Sequence, residues 1–268
     1  MAVSLLDRLG VRGAGPGGRA PVATLALIAL CLLTVLVSPS SGFNPAYGTG
    51  PARACAEQRY EQRWGAVPAE LTSGRPLDAE QLAALPKATP DCALAPTPGK
   101  LPVLSVLSSL FVHAGWLHLL GNVLFLFVFG PGLEERLGRL RFLLLYLTVG
   151  YLAAYGYALA ETGRPDGLRA VVGASGAIAG VLGGYLRLYP RARVTALVPA
   201  LLFLPLRLPA WLVLGLWFVL QWWSVRSGGP GVAYLVHVIG FATGYLAVRP
   251  APARRIRWPR PPWQGEAS

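Results

Sequence analysis

The chain has 268 residues, of which 54% are hydrophobic and 13% are charged, and its formal net charge is +12. A soluble globular domain usually carries about 25% charged residues, so this composition excludes an ordinary soluble domain and indicates a membrane protein. A basic chain could also bind nucleic acid, but that function needs the basic residues together on one exposed face. Here they lie in the gaps between apolar runs, so no nucleic-acid partner is expected.

Six apolar segments predict membrane-spanning helices, because a helix needs about 20 apolar residues to cross a hydrocarbon core about 30 Å thick. The composition therefore predicts an all-α polytopic membrane protein with six transmembrane helices. A seventh uncharged stretch, Val194 to Leu206, has only 13 residues and contains two prolines. It is expected to be an interfacial or re-entrant segment on the inner side. The six predicted spans are 21–38, 113–131, 141–160, 171–188, 209–225 and 231–249.

The basic residues predict the orientation of these spans. Fifteen of the 24 fall on the side that holds both chain ends, and cytoplasmic loops are enriched in such residues. Both termini are therefore expected in the cytoplasm of a multi-pass cell-membrane protein, with a bacterial plasma membrane as the expected location. The predicted divisions are a cytoplasmic segment 1–20, a first span 21–38, an extracytoplasmic loop 39–100, a core 101–249 with spans two to six, and a basic cytoplasmic tail 250–268.

The predicted outer loop contains a tandem repeat, Glu57-Gln58-Arg59-Tyr60 followed by Glu61-Gln62-Arg63-Trp64. In a helix this repeat would place Tyr60 and Trp64 one turn apart, as an interfacial helix requires, but a solvated loop is an equally good interpretation. Cys55 and Cys92 lie in the same loop, in a compartment that permits disulfides. Because the sequence gives no distance between them, their pairing stays open.

Polar groups inside predicted spans mark candidate sites, because burying them in a membrane is costly. His118 and Asn122 are four residues apart on the second span and share one helix face. Ser175 lies among glycines at the start of the fourth span, and His237 lies near the start of the sixth. These three spans all run inward from the outer face. At 1.5 Å per residue, all four side chains are expected about 5 to 15 Å beneath the outer surface.

Glycines on the fourth and sixth spans predict close helix approach, which would bring the His237 imidazole within reach of the Ser175 hydroxyl. The alternative is that the glycines serve packing and the hydroxyl only bonds a neighbouring carbonyl. No Asp or Glu occurs between Asp166 and Glu266. A Ser-His dyad, with packing or a neutral group holding the ring, is therefore expected in place of a triad. Backbone N–H groups at the start of the fourth span, together with His118 and Asn122, are the candidate oxyanion donors.

These residues resemble the rhomboid family of intramembrane serine proteases over about Leu101 to Val248. Gly138 and Glu135 after the second span also fit the family. The matching motifs are Gly173-Ala174-Ser175-Gly176 for G-x-S-G, His118 with Asn122 for H-x-x-x-N, and His237 with Gly240 and Gly244 for H-x-x-G-x-x-x-G.

The resemblance implies a six-helix rhomboid-like bundle in which Ser175 is the nucleophile and His237 the general base and acid. His118 and Asn122 would then stabilise the oxyanion, with no cofactor and no metal. The implied substrates are membrane proteins, cut in or near a transmembrane segment that can unwind. One departure is Ala179, where the family commonly has an aromatic residue on the catalytic histidine.

Two other function classes are considered. A catalytically weak or inactive rhomboid-like protein would bind transmembrane clients without cutting them, and Ala179 favours this alternative. A transporter or channel is disfavoured, because no Asp, Glu or Lys lies within the predicted spans and no inverted repeat is visible.

A metal site is also disfavoured, since His113 and His118 are five residues apart and no H-E-x-x-H motif occurs. His113 matches a family histidine whose role is expected to be structural. The substrate and the oligomeric state are not predicted.

Overall fold

The computed structural model describes residues 20–198, 204–227 and 233–249. The predicted cytoplasmic tail 250–268 and all but the last residue of the segment 1–20 lie outside the described residues. Three short 3-10 turns, Pro39–Ser41, Pro45–Tyr47 and Pro165–Leu168, connect the helices. The helices are α1 (Val22–Val37), α2 (Gly50–Trp64), α3 (Pro68–Ser73), α4 (Ala79–Ala83), α5 (Pro102–Ser109), α6 (Trp116–Leu137), α7 (Arg139–Ala160), α8 (Ser175–Leu188), α9 (Ala210–Ser227) and α10 (Tyr234–Ala247), and the strands are β1 (Arg193–Val198) and β2 (Leu204–Pro209).

The chain is mostly helical, and each predicted span contains a helix. By length and apolarity together, α6 and α7 are each sufficient to cross a membrane. The helices α1 and α10 are apolar but have only 16 and 14 residues. The number of spans therefore stays a prediction.

The stretch between α8 and α9 is not purely helical, as an all-α fold would require. Strands β1 and β2 pair antiparallel, with Val194 opposite Leu208 and Leu197 opposite Pro205. The sequence prediction of a re-entrant or interfacial segment did not identify this hairpin, because a short apolar run with prolines does not distinguish strand from irregular backbone. The chain then enters α9 immediately after Pro209, close to the predicted start of the fifth span.

Helix α6 continues beyond the predicted end of the second span at Pro131 and ends at Leu137. Glu134 lies in the last turns of α6 and is buried. Its carboxylate accepts hydrogen bonds from the backbone N–H groups of Ala23 (3.0 Å) and Thr24 (2.8 Å) and from the Thr24 hydroxyl (2.7 Å). Because the first N–H groups of a helix have no intrahelical partner, a carboxylate from α6 caps α1.

Helix α8 lies at the centre of the bundle, packed against α6, α7 and α10. All nine of its residues from Gly176 to Gly184 are buried. A helix that is apolar on every side is stable only when neighbours cover it completely, which explains this central position. With 14 residues it is about 21 Å long, shorter than a hydrocarbon core of about 30 Å.

Glycines bring the backbones of α8 and α10 into direct contact. A Cβ at Gly240 would overlap the carbonyl oxygen of Gly176, and a Cβ at Gly244 would overlap that of Gly180. In the other direction, a Cβ at Gly183 would overlap the carbonyl oxygen of Phe241. Since the opposing atoms belong to backbone, they cannot rotate away, and only glycine fits at these positions.

Helices α2, α3 and α4 and the segments that join them to α1 and α5 form a layer of short helices, here called the outer layer, which contacts α7 and the loop that precedes α8. The tandem repeat lies in α2, and the Tyr60 and Trp64 ring centroids are 6.5 Å apart, so its helical interpretation is confirmed. Cys55 and Cys92 are joined by a disulfide, which settles the pairing that the sequence left open. The bond ties α2 to the segment after α4.

We expect Gly244→Ala to destabilise the protein by about 1–3 kcal/mol, because the added methyl group forces α8 and α10 apart. Gly215→Ala on α9 is the matched control, since no described atom outside its chain neighbours and the adjacent α9 backbone lies within 4 Å of its Cβ position. Thermal unfolding in detergent, followed by circular dichroism, should show a lower midpoint for Gly244→Ala than for Gly215→Ala. Equal midpoints would contradict the backbone contact.

Candidate active site

The loop that leads into α8 holds Gly173 in a conformation that only glycine adopts easily. Its φ is +112°, and a Cβ there would collide with the imidazole of His118. The Gly173 N–H donates to the carbonyl oxygen of Ser109, 2.9 Å away. The chain then enters the helix, with Ser175 as the first residue of α8.

Ser175 and His237 are brought together by the contact of α8 with α10. The Ser175 Oγ lies 2.8 Å from the Nε2 of His237, and both side chains are half-buried. This distance is within the range needed for a base to take a proton from a hydroxyl. The arrangement is the one expected from the depth of these residues on the fourth and sixth predicted spans.

His118 and Asn122 lie beside the same loop, next to Gly173, which is two residues before the start of α8. From the Cβ position of Gly173, the Nδ2 of Asn122 is 3.5 Å away, and the Nε2 of His118 is closer. The buried Asn122 Nδ2 has no hydrogen-bond partner within the described part of the chain. Together with the first N–H groups of α8, these nitrogens can donate to a negative oxygen that forms next to Ser175.

His113 is buried next to His118. It is 1% exposed, its Nδ1 is 3.0 Å from the Phe111 carbonyl oxygen, and its ring centroid is 5.1 Å from that of His118. Its contacts fit the structural role expected from the sequence. Among the described residues, no three His, Cys, Asp or Glu side chains are placed to hold a metal ion.

Two residues of α9 that the sequence analysis missed contact the imidazole of His237. The Oε1 of Gln221 is 2.7 Å from the Nδ1 of His237. The Trp217 ring centroid is 6.0 Å from that of His237, at an interplanar angle of 34°. Gln221 lies four residues from the outer end of the predicted span 209–225, about 6 Å below the surface. The depth argument that selected the histidines would therefore have selected Gln221 as well.

Ala179, where the sequence departs from the motif pattern, lies beside α10, and other residues pack against His237. Ala179 is fully buried, and its Cβ would be 3.3 Å from a Cβ at Gly240, so the alanine lies close to the α10 backbone. The aromatic contacts of His237 come from other positions, Trp217 on α9 and Tyr234 on α10, whose ring centroid is 6.3 Å from the imidazole. The ring of His237 is thus packed without an aromatic residue at position 179.

The outer helices support the loop that carries Gly173. Ala66 and Val171 exchange two backbone hydrogen bonds of 3.0 and 2.8 Å. The Gln62 side-chain amide donates to the backbone carbonyl oxygen of Leu168. The backbone carbonyl oxygen of Gln62 accepts from the ammonium group of Lys100. The disulfide-linked outer layer is therefore bonded directly to the segment that positions Ser175.

Lys100 forms a buried ion pair with Glu70, in which the Nζ to Oε2 distance is 2.6 Å. Their side chains are 4% and 5% exposed. Burial lowers the pKa of Lys100 from its ordinary value, and the hydrogen bond to Glu70 opposes that shift. A buried pair of this kind tolerates the loss of both charges far better than the loss of one.

The sequence model of the Rhomboid domain matches residues 101–251, more than half of the chain. The chain belongs to the rhomboid family. It is 43% identical over 81 residues to the Bacillus subtilis protein named "Putative rhomboid protease YdcA". It is also 33% identical over 148 residues to RHOMBOID-like protein 4 of Arabidopsis thaliana, and 36% identical over 81 residues to RHOMBOID-like protein 5 of the same plant.

These alignments cover 30%, 53% and 30% of this chain. They span 39%, 32% and 25% of the respective relatives, so the chain matches well under half the length of each. Family membership confirms the predicted resemblance to the rhomboid family. It also makes the chain a membrane protein of the rhomboid type.

Lys100→Met should destabilise this rhomboid-family protein by about 3–5 kcal/mol, because Glu70 is left buried without its cation. Lys87→Met is the matched control, since Lys87 is exposed and its loss should change the free energy of unfolding by less than about 0.5 kcal/mol. Unfolding in detergent measures both. The double variant Lys100→Met/Glu70→Leu should recover most of the loss, and a double variant as unstable as Lys100→Met alone would contradict the ion pair.

Proposed function

We propose that this rhomboid-family chain is an intramembrane serine endopeptidase that hydrolyses peptide bonds in or near transmembrane segments of membrane proteins through a Ser-His dyad. The observation that carries the proposal is the 2.8 Å distance between the Ser175 Oγ and the His237 Nε2. A serine hydroxyl is a weak nucleophile by itself and needs an adjacent base. The substrates and partners are membrane proteins in the bilayer, and no cofactor takes part.

In the proposed mechanism, His237 takes the Ser175 proton as the hydroxyl oxygen attacks the carbonyl carbon of the substrate. The imidazolium then gives this proton to the leaving amine, and an acyl-enzyme remains. A water molecule loses its proton to His237 and attacks the ester. The collapse of the second tetrahedral intermediate releases the acid and returns the proton to the Ser175 oxygen. His237 is thus general base and general acid in turn.

Each attack places a negative charge on the former carbonyl oxygen. We assign the stabilisation of this oxyanion to His118, Asn122 and the N–H groups at the start of α8. The buried Asn122 Nδ2, which lacks a partner among the described residues, supports this role. Donors that are already in place gain most from charge that develops during the reaction, because they need not reorient.

The proposed topology is a six-helix bundle in the cell membrane, in which α1, α6, α7, α8, α9 and α10 are the spans. Both termini are then cytoplasmic, and residues 39–100 are extracytoplasmic. The positions of the basic residues support this orientation. The short central helix α8 would start below the outer surface, with Ser175 at its outer end. Substrate would therefore reach the site from the outer half of the bilayer.

The alternative is a rhomboid-like protein that binds transmembrane clients without cutting them. Its main support in the sequence was Ala179, because an unpacked imidazole would be a poor base. The rings of Trp217 and Tyr234 beside His237 weaken that support. We therefore favour the protease.

Ser175→Ala and His237→Ala should each abolish labelling of the detergent-solubilised protein by a fluorophosphonate serine probe. The reason is that one removes the nucleophile and the other removes its base. Both should also abolish cleavage of a reporter whose transmembrane segment contains helix-destabilising residues. The matched control is Ser227→Ala, since the Ser227 hydroxyl bonds only carbonyls of its own helix within the described residues.

Undiminished cleavage by Ser175→Ala would exclude the serine mechanism. Capture of the reporter without product, equal in wild type and Ser175→Ala, would favour the client-binding alternative. Folding of each variant is checked by its thermal midpoint.

Asn122→Ala should lower kcat by about 10²–10³-fold with little change in KM, because the lost donor acts on the transition state rather than on the bound substrate. Asn44→Ala is the matched control, since Asn44 caps an exposed turn in the outer layer. Steady-state cleavage of the reporter separates the two parameters. A rise in KM at constant kcat would assign Asn122 to substrate binding instead.

A further inference from the structure

We propose that Gln221 is the positioning residue of His237: its side-chain oxygen accepts a hydrogen bond from Nδ1 and so fixes the imidazole tautomer in which Nε2 can accept the Ser175 proton. The inference rests on the proposed protease function, because a general base needs an unprotonated Nε2. No Asp or Glu between Asp166 and Glu266 is present to orient the ring, so a neutral group is expected there. We assign that role to Gln221, in the fifth predicted span.

The two nitrogens of His237 are both occupied, on opposite sides of the ring. Gln221 Oε1 lies 2.7 Å from Nδ1, and Ser175 Oγ lies 2.8 Å from Nε2. An amide oxygen has lone pairs but no proton, so it can only accept. In the neutral ring Nδ1 must then carry the proton and Nε2 the lone pair, which is the form that a general base needs.

The position of Gln221 on α9 supports this role. The residues of α9 that face the bundle are spaced by three or four: Ala210 and Leu214 are buried, Trp217 contacts His237 and Phe241, and Gln221 follows one turn later. Gln221 is thus a polar residue that continues the apolar stripe of Ala210, Leu214 and Trp217. A polar side chain in such a stripe is costly unless it has a partner, and its partner is His237.

Trp217 and Gln221 are four residues apart, so both reach His237 from the same face of α9. The indole lies beside the imidazole and limits its tilt, while the amide sets which nitrogen carries the proton. A carboxylate at position 221 would orient the ring in the same way, but it would place an uncompensated negative charge inside the bundle. The amide provides the orientation without that charge.

The first test measures the tautomer directly and needs no substrate cleavage. The protein is labelled with ¹⁵N-histidine, reconstituted in lipid, and studied by solid-state NMR at pH 8. The His237 signals are assigned by their absence in His237→Ala. We expect a protonated Nδ1 and an unprotonated Nε2 in the wild type, and a changed or mixed tautomer in Gln221→Leu. A wild-type ring protonated on Nε2 would overturn the proposal, as would an unchanged tautomer in Gln221→Leu.

The second test uses reporter cleavage. Gln221→Leu should lower kcat by about 10- to 100-fold at nearly constant KM, because the base is misplaced while the substrate contacts remain. Gln221→Glu keeps an acceptor at Nδ1 and should recover most of the rate, with the acid limb of its pH–rate profile moved to higher pH. Gln58→Leu is the matched control, since Gln58 bonds Pro86 and Ala88 in the outer layer and should leave kcat unchanged.

A kcat of Gln221→Leu equal to that of wild type would overturn the proposal. So would a Gln221→Glu variant that is as slow as Gln221→Leu while its unfolding midpoint matches wild type, because a merely structural role gives no rescue by an acceptor. If the wild type cuts no reporter and takes no serine probe, the proposed protease function fails. The NMR test then still decides the role of Gln221.

Discussion

The contact between the backbones of α8 and α10 is the constraint on which the candidate site depends. Ser175 begins α8 and His237 lies in the first turn of α10, so their distance is set by how closely these two helices approach. Side chains at Gly240 or Gly244 would overlap the α8 backbone. The glycines thus serve geometry rather than flexibility: they let an imidazole reach a hydroxyl on a neighbouring helix without a long loop between them.

Much of the candidate site could be predicted from the sequence because polar residues in apolar segments are few. Ser175, His118, Asn122 and His237 stood out as polar residues at one predicted depth in apolar spans, and the structure brings Ser175 and His237 within 2.8 Å. Gln221 was not predicted, because the sequence indicates a neutral orienting group but gives no distance that would identify it. Glu134 was missed because the second span was ended at Pro131, whereas a proline near a helix end can be tolerated when neighbouring groups satisfy the backbone.

Other features depend on contacts that a sequence does not contain. The pairing of Cys55 with Cys92 needs a distance between two parts of the outer layer, and the ion pair of Lys100 with Glu70 needs the same. The hairpin of β1 and β2 also depends on pairing between segments, which periodicity in 13 residues does not reveal. These features have one physical property in common. Each of them pairs two residues or segments, and the sequence pattern does not show which partners pair. The pairing depends on how the chain folds around them.

The four helices that build the site differ in how firmly they are held, and this difference has a chemical consequence. Helix α8 is buried on all sides, whereas α9 buries mainly Ala210 and Leu214 and exposes most of its other large side chains. The Ser175–His237 contact belongs to the firmly packed pair α8 and α10. The Gln221–His237 contact joins the less buried helix α9 to α10. A displacement of α9 would therefore remove the acceptor from Nδ1 while leaving hydroxyl and imidazole side by side, and it would change the protonation of the base without taking the dyad apart.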